Sequence, residues 1–225
     1  MTDEFAIGRV IKCQSSFYTI LTEAGEQIVA RIRGRLKKER QDTTIVAIGD
    51  RVRYQTVPEG THIIEEVLER KRALSRLKPL ASGRGTRRWD RQGYLREREQ
   101  VLIANPDQVV FVLACAQPEP NLRLLDRLLV GAERQAIPSL ICVNKVDLVD
   151  PAEVEAKFDI YAEIGYRVLY TSVVTGAGVD QLRAHLQDRI SALVGPSGVG
   201  KSSLLNAMEP ELGKRVKAVS QATGK

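Results

Sequence analysis

The stretch that most constrains the fold of this chain is GPSGVGKS, residues 195–202, which matches the phosphate-binding pattern GxxxxGK[ST] in full. The preceding residues 190–194 are apolar, and residues 203–208 place apolar side chains at helical spacing. A chance glycine turn would not be expected between a strand and a helix. The stretch therefore predicts a P-loop in an α/β domain, with a phosphate site at the start of a helix.

Each position of this loop has a chemical role. Gly198 and Gly200 allow the backbone to curl so that its N–H groups point at phosphate oxygens, and the helix that starts near Lys201 adds its positive dipole end. Lys201 is expected to reach the β- and γ-phosphates. Ser202 is expected to supply its hydroxyl to Mg²⁺, and Ser203 to lie beside the α-phosphate.

A second motif, NKVD at residues 144–147, directly follows the apolar segment SLICV. Asp147 can accept two hydrogen bonds from the N1–H and 2-amino groups of guanine, whereas adenine offers neither donor. Asn144 is expected to hold the base and the neighbouring loops, and the Lys145 stem to cover the ring. After the next predicted strand, the backbone N–H groups of Ser172 and Val173 would meet the base. NKxD alone is a short pattern, but the motifs together predict GTP or GDP binding by Asn144, Lys145, Asp147, Ser172, Val173, Gly195, Pro196, Ser197, Gly198, Val199, Gly200, Lys201, Ser202 and Ser203.

The order of these motifs is reversed relative to an ordinary GTPase, which begins with its P-loop strand and ends with its guanine-reading strands. The continuous apolar runs DQVVFVLACA, PSLICVN, YRVLYTS and ISALVG predict strands that are buried on both faces. Between them, NLRLLDRLLVGAERQA, PAEVEAKFDIYAEIG and VDQLRAHLQD have the periodicity of helices. In a parallel sheet the nucleotide lies at the carboxyl ends of the strands whatever their order along the chain. The sequence therefore predicts a circularly permuted GTPase domain.

The first part of the chain has a shorter, strand-like pattern. Five candidate strands, FAIGRVIKC, SFYTILT, EQIVARIRG, GDRVRYQTV and THIIEEVL, predict a small closed barrel of the OB type, although any small β-barrel would give a similar pattern. Cations crowd the third strand and the loop after it, where RNA contact and a merely solvated edge are both open interpretations. The candidate RNA-binding residues here are Arg31, Arg33, Arg35, Lys37 and Lys38.

Residues 71–100 show no convincing strand or helix pattern and carry ten Lys or Arg against three Asp or Glu. Arg87, Arg88 and Trp89 combine cations with a stackable ring, which suits RNA phosphates and bases. A flexible basic linker with docking aromatics is the alternative. The predicted organisation is a barrel over residues 1–70, a basic linker over 71–100 and a partial GTPase domain over 101–225.

The composition limits the class of protein further. The formal net charge is +6 and the isoelectric point is near 9.3, which favours a polyanionic partner. Three widely spaced cysteines predict reduced core thiols in a cytosolic protein. The longest apolar run is too short for a bilayer, and the chain does not start like a secretory signal. We expect a soluble cytoplasmic protein, with nothing that suggests more than a monomer.

The barrel, the basic linker and then NKVD, TSV and GPSGVGKSS in this order resemble the ribosome small subunit-dependent GTPase A family of bacteria. The resemblance covers essentially the whole chain. It implies GTP hydrolysis that is faster on the small ribosomal subunit, a role late in the assembly of that subunit, and contact with 16S rRNA partly through the barrel. The cofactors that the resemblance implies are GTP or GDP, Mg²⁺ and zinc.

The chain departs from the family after the P-loop helix. The family continues with a Mg²⁺-binding threonine of switch I, a DxxG loop at the γ-phosphate and a Cys/His zinc domain, whereas this chain ends at VSQATGK without ligands for zinc. Its only DxxG string, residues 90–93, lies in the linker with no strand before it, and we reject it as a γ-phosphate sensor. We therefore assign no catalytic residue and expect weak GDP or GTP binding, little hydrolysis and an unpaired sheet edge beside the P-loop strand.

Two alternatives to a GTPase of small-subunit assembly stay open at this point. One is an rRNA-binding module with a vestigial, non-hydrolytic nucleotide domain, and the other is an unrelated P-loop ATPase. Asp147→Asn should abolish guanine preference and GTP-dependent subunit binding in a GTPase, and should leave RNA affinity unchanged in an RNA-binding module. Displacement of bound GDP by ATP as well as by GTP would favour the ATPase.

Overall fold

The computed structural model describes residues 5–14, 16–34, 36, 44–57, 60–77 and 99–210. The chain divides into two compact units, with the boundary between Pro106 and Asp107. In the described ranges, no helix has both the length and the apolar character needed to cross a membrane.

The first unit contains a closed five-stranded barrel, as predicted. Its strands are β1 (Ala6–Gln14), β2 (Phe17–Thr22), β3 (Gln27–Ile32), β4 (Arg51–Thr56) and β5 (His62–Val67). Neighbouring strands follow the order β1-β2-β3-β5-β4, and β1 pairs with β4 to close the barrel. The contact between β3 and β5 is parallel, while the other pairings are antiparallel.

The barrel closes around side chains that alternate with outward-facing polar ones. In β4, for example, Val52 and Tyr54 are buried while Arg51 and Arg53 are exposed, as the two-residue period of a strand requires. The interior is completed by the buried side chains of Val10, Ile20, Ala30, Ile64 and Val67.

A second, two-stranded sheet lies in the same unit and consists of β6 (Ala73–Leu77) and β7 (Glu99–Ala104), which pair antiparallel. Residues 71–100 were predicted to contain no strand, so the structure corrects that expectation. A short strand such as ALSRL carries little periodic signal, and its partner lies more than twenty residues further along the chain.

A buried ion pair joins the segment before β4 to the segment after β5. The Asp50 carboxylate is fully buried, and the Arg70 guanidinium donates to both of its oxygens, from Nε at 2.7 Å and from Nη2 at 2.8 Å. The backbone N–H of Ala47 donates to the same carboxylate at 2.7 Å. Because the Asp50 carboxylate is paired with a cation and both of its oxygens accept hydrogen bonds, this pair meets the condition under which a buried charge is tolerated.

The second unit is built on a parallel sheet with the order β10-β9-β8-β11. Its strands are β8 (Gln108–Ala114), β9 (Ser139–Asn144), β10 (Arg167–Thr171) and β11 (Ser191–Val194). All seven residues of β8 are buried, which explains its continuous apolar run. β11 is only half-buried and lies at the edge of the sheet formed by the described residues. The unpaired edge expected beside the P-loop strand stays a prediction, because residues 211–225 lie outside the described residues.

The helices are α1 (Leu122–Glu133), α2 (Pro151–Glu163), α3 (Val179–Leu186) and α4 (Lys201–Met208), with a 3₁₀ turn at Val146–Leu148. Local sequence explains where two of them begin. The Asn121 side chain accepts a hydrogen bond from the N–H of Leu124, and the Asp150 side chain accepts one from the N–H of Ala152. One shared core buries Leu182 and Leu204 of α3 and α4 against strand residues such as Val112.

The cysteine prediction holds for two of the three residues. Cys115 and Cys142 are buried free thiols, whereas Cys13, also free, is exposed rather than in the core. Cys13 belongs to the last, outward part of β1, where the burial of the strand ends.

Candidate functional site

The predicted phosphate loop connects β11 to α4 at the carboxyl end of the parallel sheet. Gly198 and Gly200 have φ angles of +81° and +98°, a left-handed conformation that glycine adopts without strain. The Lys201 ammonium folds back over the loop and donates to the carbonyl oxygens of Gly195 at 2.8 Å and Pro196 at 2.6 Å. The loop therefore holds a positive charge beside the N-terminus of a helix, and both features favour an anion.

Two glycines of this loop are fixed by close packing. A Cβ on Gly195 would lie 2.1 Å from the carbonyl oxygen of Val112, and a Cβ on Gly200 would lie 2.3 Å from Nδ2 of Asn144. No side chain fits at these distances, so the loop touches both β8 and the end of β9 through its backbone. Ser202 and Ser203 are exposed in the first turn of α4.

Asn144 joins the two predicted motifs. Its side chain is 2% exposed, and its Nδ2 donates to the carbonyl oxygen of Val199 in the P-loop at 2.9 Å. Its Oδ1 accepts a hydrogen bond from the fully buried Thr171 hydroxyl at 3.1 Å. Both hydrogen-bonding ends of this amide are therefore satisfied, and the structure brings the NKVD segment, the segment after β10 and the P-loop together.

Asp147 lies on the exposed side of this junction. The buried Ser172 hydroxyl donates to Oδ1 of Asp147, and the Ser172 oxygen accepts a hydrogen bond from the N–H of Thr175 at 3.2 Å. Ser172 thus orients the carboxylate. Its backbone N–H donates to the Ala177 carbonyl at 2.9 Å. The predicted contact of this N–H with a base stays a prediction.

Lys145 adopts a left-handed backbone conformation, with φ of +67°. Its ammonium donates to the carbonyl oxygen of Gln117 in the loop after β8. Its own carbonyl accepts a hydrogen bond from the Cys115 thiol at 2.8 Å. The sequence predicted Cys115 only as a core thiol and gave no role to Gln117, because no local motif marks either residue as part of the site. Their position directly after a buried strand, at the carboxyl edge of the sheet, is the signal that could have found them.

The thiols near the site are held in their neutral form. Burial raises the pKa of Cys142 to about 11, although a hydrogen bond with Thr171 acts in the opposite direction. Burial is also the main cause that raises the pKa of Cys115. Because the thiolate is the nucleophile and the metal ligand, both residues act here as structural and hydrogen-bonding groups.

The residues predicted to bind RNA are only partly within the described ranges. Arg31 is exposed on β3, and Arg33, which follows β3, forms an ion pair with Glu65 of β5. Arg35, Lys37, Lys38, Arg87, Arg88 and Trp89 lie outside the described residues. The roles of all these residues remain predictions.

A P-loop and an NKxD segment joined through Asn144, on a parallel sheet whose P-loop strand comes last in the chain, define a circularly permuted P-loop GTPase domain. Two family models match this chain. The model described as RsgA GTPase matches residues 88–225, and the model described as RsgA N-terminal domain matches residues 7–64. The chain belongs to the RsgA GTPase family, as the sequence resemblance indicated.

Individual relatives support this placement. A protein of Gemmatimonas aurantiaca named small ribosomal subunit biogenesis GTPase RsgA is 40% identical over 97% of this chain and 67% of its own length. A protein of the same name from Caldanaerobacter subterraneus subsp. tengcongensis is 36% identical over 97% of this chain and 64% of its own length. The chain thus spans about two thirds of the length of these curated relatives.

Two solved structures have the same fold. The crystal structure of YjeQ from Thermotoga maritima aligns with a TM-score of 0.69 and 31% identity, covering 92% of this chain and 66% of that one. The structure of YloQ, described as a circularly permuted GTPase, aligns with a TM-score of 0.60 and 32% identity over the same shares. These structures confirm the predicted fold class, a five-stranded barrel followed by a permuted parallel-sheet domain.

Proposed function

We propose that this chain binds a guanine nucleotide between Asp147 and Lys201 and serves in the maturation of the small ribosomal subunit. The observation that carries the nucleotide proposal is the 2.9 Å hydrogen bond from Asn144 to the Val199 carbonyl. This bond joins the NKVD segment to the P-loop, which supports a single nucleotide site.

At the base end, Asp147 would accept the N1–H and 2-amino hydrogen bonds of guanine. The hydroxyl of Ser172 fixes the orientation of that carboxylate before the base arrives, so less ordering is needed on binding. The aliphatic stem of Lys145 would cover the ring, since its ammonium is anchored at Gln117. The backbone N–H of Val173 stays a candidate contact to the base.

At the phosphate end, the loop from Gly195 to Ser203 would wrap the phosphate oxygens. The left-handed glycines and the ammonium of Lys201 fit an anionic ligand. The exposed Ser202 hydroxyl in the first turn of α4 fits the single protein ligand that a P-loop gives to Mg²⁺. When bound, this ion would neutralise phosphate charge.

We also propose that the protein hydrolyses GTP in a manner stimulated by the small ribosomal subunit and contacts 16S rRNA. The support is that relatives spanning the same barrel and nucleotide domain are named small ribosomal subunit biogenesis GTPases. The basic net charge of +6 suits an RNA partner. We place the protein in the cytoplasm, with the ribosome, as a monomer.

Co-sedimentation with purified small subunits tests this function. The chain should bind subunits more tightly with a non-hydrolysable GTP analogue than with the corresponding ATP analogue. Asp147→Asn should remove this difference, while Asp159→Asn, which changes an exposed carboxylate on α2, should preserve it. If the chain bound subunits equally with GTP, with ATP and without nucleotide, it would be an RNA-binding module rather than a GTPase. Equal displacement of bound GDP by ATP and by GTP would indicate an ATPase.

A further inference from the structure

An exposed aromatic ring and an arginine are stacked on the outer surface of the barrel. Phe17 of β2 is 44% exposed and faces outward, whereas Tyr18 and Ile20 of the same strand face the barrel interior. The guanidinium carbon of Arg31, on the neighbouring β3, lies 4.7 Å from the centre of the Phe17 ring. We call this pair the Phe17–Arg31 platform.

The platform lies in a face of mixed apolar and cationic character. Strand register places Gln14 and Arg31 on either side of Phe17. One step along the strands, Lys12, Thr19 and Val29 form the next outward row, in which Val29 is 56% exposed. This surface therefore exposes a ring and an aliphatic side chain next to two cations.

The charge of Arg31 is not neutralised by a carboxylate within the described part of the chain, where its neighbour Arg33 is paired with Glu65. A guanidinium held over a ring by a cation–π contact keeps N–H donors that can meet an anion. The exposed part of the Phe17 ring can contact another flat group. A ligand that joins an anionic group to a flat ring would satisfy both parts of this surface, and a nucleotide is such a ligand.

We propose that the Phe17–Arg31 platform binds an unpaired nucleotide of RNA, with the base stacked on the platform and the phosphate neutralised by Arg31 and Lys12. This inference rests on the proposed RNA contact and makes it more specific. Aromatic and arginine planes recognise bases only when those bases are splayed out of a helix. The surface formed by strands two and three is also the face through which barrels of this type hold oligonucleotides. The platform therefore selects loops, bulges or single strands rather than duplex RNA.

Fluorescence anisotropy tests the platform on the full 225-residue chain, with a labelled single-stranded RNA of about 12 nucleotides as the probe and its duplex as the competitor. Phe17→Leu keeps an apolar side chain but removes the ring, and Phe17→Trp keeps a stacking ring. Phe5→Leu is the matched control, since Phe5 is 48% exposed on the same unit but lies beside the carboxylates of Glu23 and Glu26. Affinity for a fluorescent GDP analogue, measured in the same samples, should be equal in all variants.

Phe17→Leu should weaken single-strand binding by about fivefold or more, while Phe17→Trp and Phe5→Leu stay within about twofold of the original chain. The salt dependence of binding should not change in Phe17→Leu because the ring is uncharged. Arg31→Gln should lower that slope by about 0.7.

Equal affinities of Phe17→Leu and the original chain for single-stranded RNA would overturn the platform while leaving guanine-nucleotide binding and other RNA contacts intact. Weaker RNA binding by Phe17→Trp than by Phe17→Leu would show that stacking on the ring does not carry the affinity, and it would also overturn the platform. If the original chain bound no RNA, both the platform and the proposed RNA contact would fail.

Discussion

Replacing Gly200 with alanine tests how closely the P-loop is fitted to Asn144. Gly200 has φ of +98°, and a Cβ there would lie 2.3 Å from the buried Nδ2 of Asn144. Gly165, at the end of α2, provides a matched control in the same unit. Its φ is +99°, and a Cβ there would have no neighbour within 4 Å. Both substitutions place alanine in a left-handed backbone conformation, but only Gly200→Ala also brings a Cβ against the Asn144 side chain.

The expected magnitudes follow from these contacts. Left-handed backbone at an alanine costs about 1–2 kcal/mol, and this cost applies to both variants. Gly200→Ala must also displace the Asn144 amide from its 2.9 Å hydrogen bond with Val199 and leave buried polar groups unpaired. That loss adds about 1–3 kcal/mol. We therefore expect Gly165→Ala to lower the free energy of unfolding by about 1–2 kcal/mol and Gly200→Ala by about 2–5 kcal/mol.

Urea unfolding of both variants measures this difference, and titration with a fluorescent GDP analogue measures its effect on the site. Gly165→Ala should bind the analogue like the original chain, whereas Gly200→Ala should bind at least about tenfold more weakly, which corresponds to about 1.4 kcal/mol. If the two variants lost the same stability and the same affinity, the close packing of the P-loop against Asn144 would not be the feature that holds the site together.

Three further predictions concern single residues. Thr171→Val removes the hydroxyl that donates to the buried Asn144 amide, so it should cost about 1–3 kcal/mol of unfolding free energy and weaken GDP binding. Asp50→Asn leaves the Arg70 guanidinium without its charged partner, and urea unfolding should show a loss of about 3–5 kcal/mol. Burial, and then the charges of two nearby arginines, lower the pKa of His185 below 6.5, and NMR titration should measure a pKa below that value. The unfolded chain binds the proton more readily, and this residue therefore contributes a loss of stability as the pH falls below about 6.5.

The two stability predictions each have a matched control. Thr175→Val changes an exposed hydroxyl near the same loop and should leave GDP binding within about twofold. Arg53→Gln breaks the exposed ion pair with Glu66 and should cost less than about 1 kcal/mol, in contrast to Asp50→Asn. If Thr171→Val were as stable as the original chain, the hydrogen bond to Asn144 would not contribute to stability. A pKa of His185 above 6.5 would show that burial and the two arginines do not lower it.

The parallel sheet was predictable from the sequence because its strands are buried on both faces. The apolar run at residues 107–116 matches β8 (Gln108–Ala114), and the run at 138–144 matches β9 (Ser139–Asn144). The barrel strands were predictable for the opposite reason, since one solvated face gives them a two-residue alternation. The location of the site followed from topology alone, because the carboxyl ends of parallel strands meet at one edge in any chain order.

What the sequence did not predict depends on contacts between distant segments. The pairing of β6 with β7 and the ion pair of Asp50 with Arg70 join residues at least twenty positions apart, for which no local period exists. In the candidate site, the anchoring of Lys145 at Gln117 and the contact of the Ser172 hydroxyl with Asp147 were also unforeseen. Both depend on how loops close on each other, and short motifs do not encode that geometry.

In the proposed function, Asp147 and Lys201 bind opposite ends of one guanine nucleotide. The most direct measurement compares the affinities for GDP and xanthosine diphosphate, whose base carries an oxygen in place of the 2-amino group. Asp147→Asn should change the ratio of the two affinities by more than about 100-fold in favour of xanthosine diphosphate, because the amide can donate where the carboxylate can only accept. Lys201→Ala should weaken both nucleotides equally. If Asp147→Asn left the ratio unchanged while the chain still bound GDP, Asp147 would not read the base and the account would be wrong.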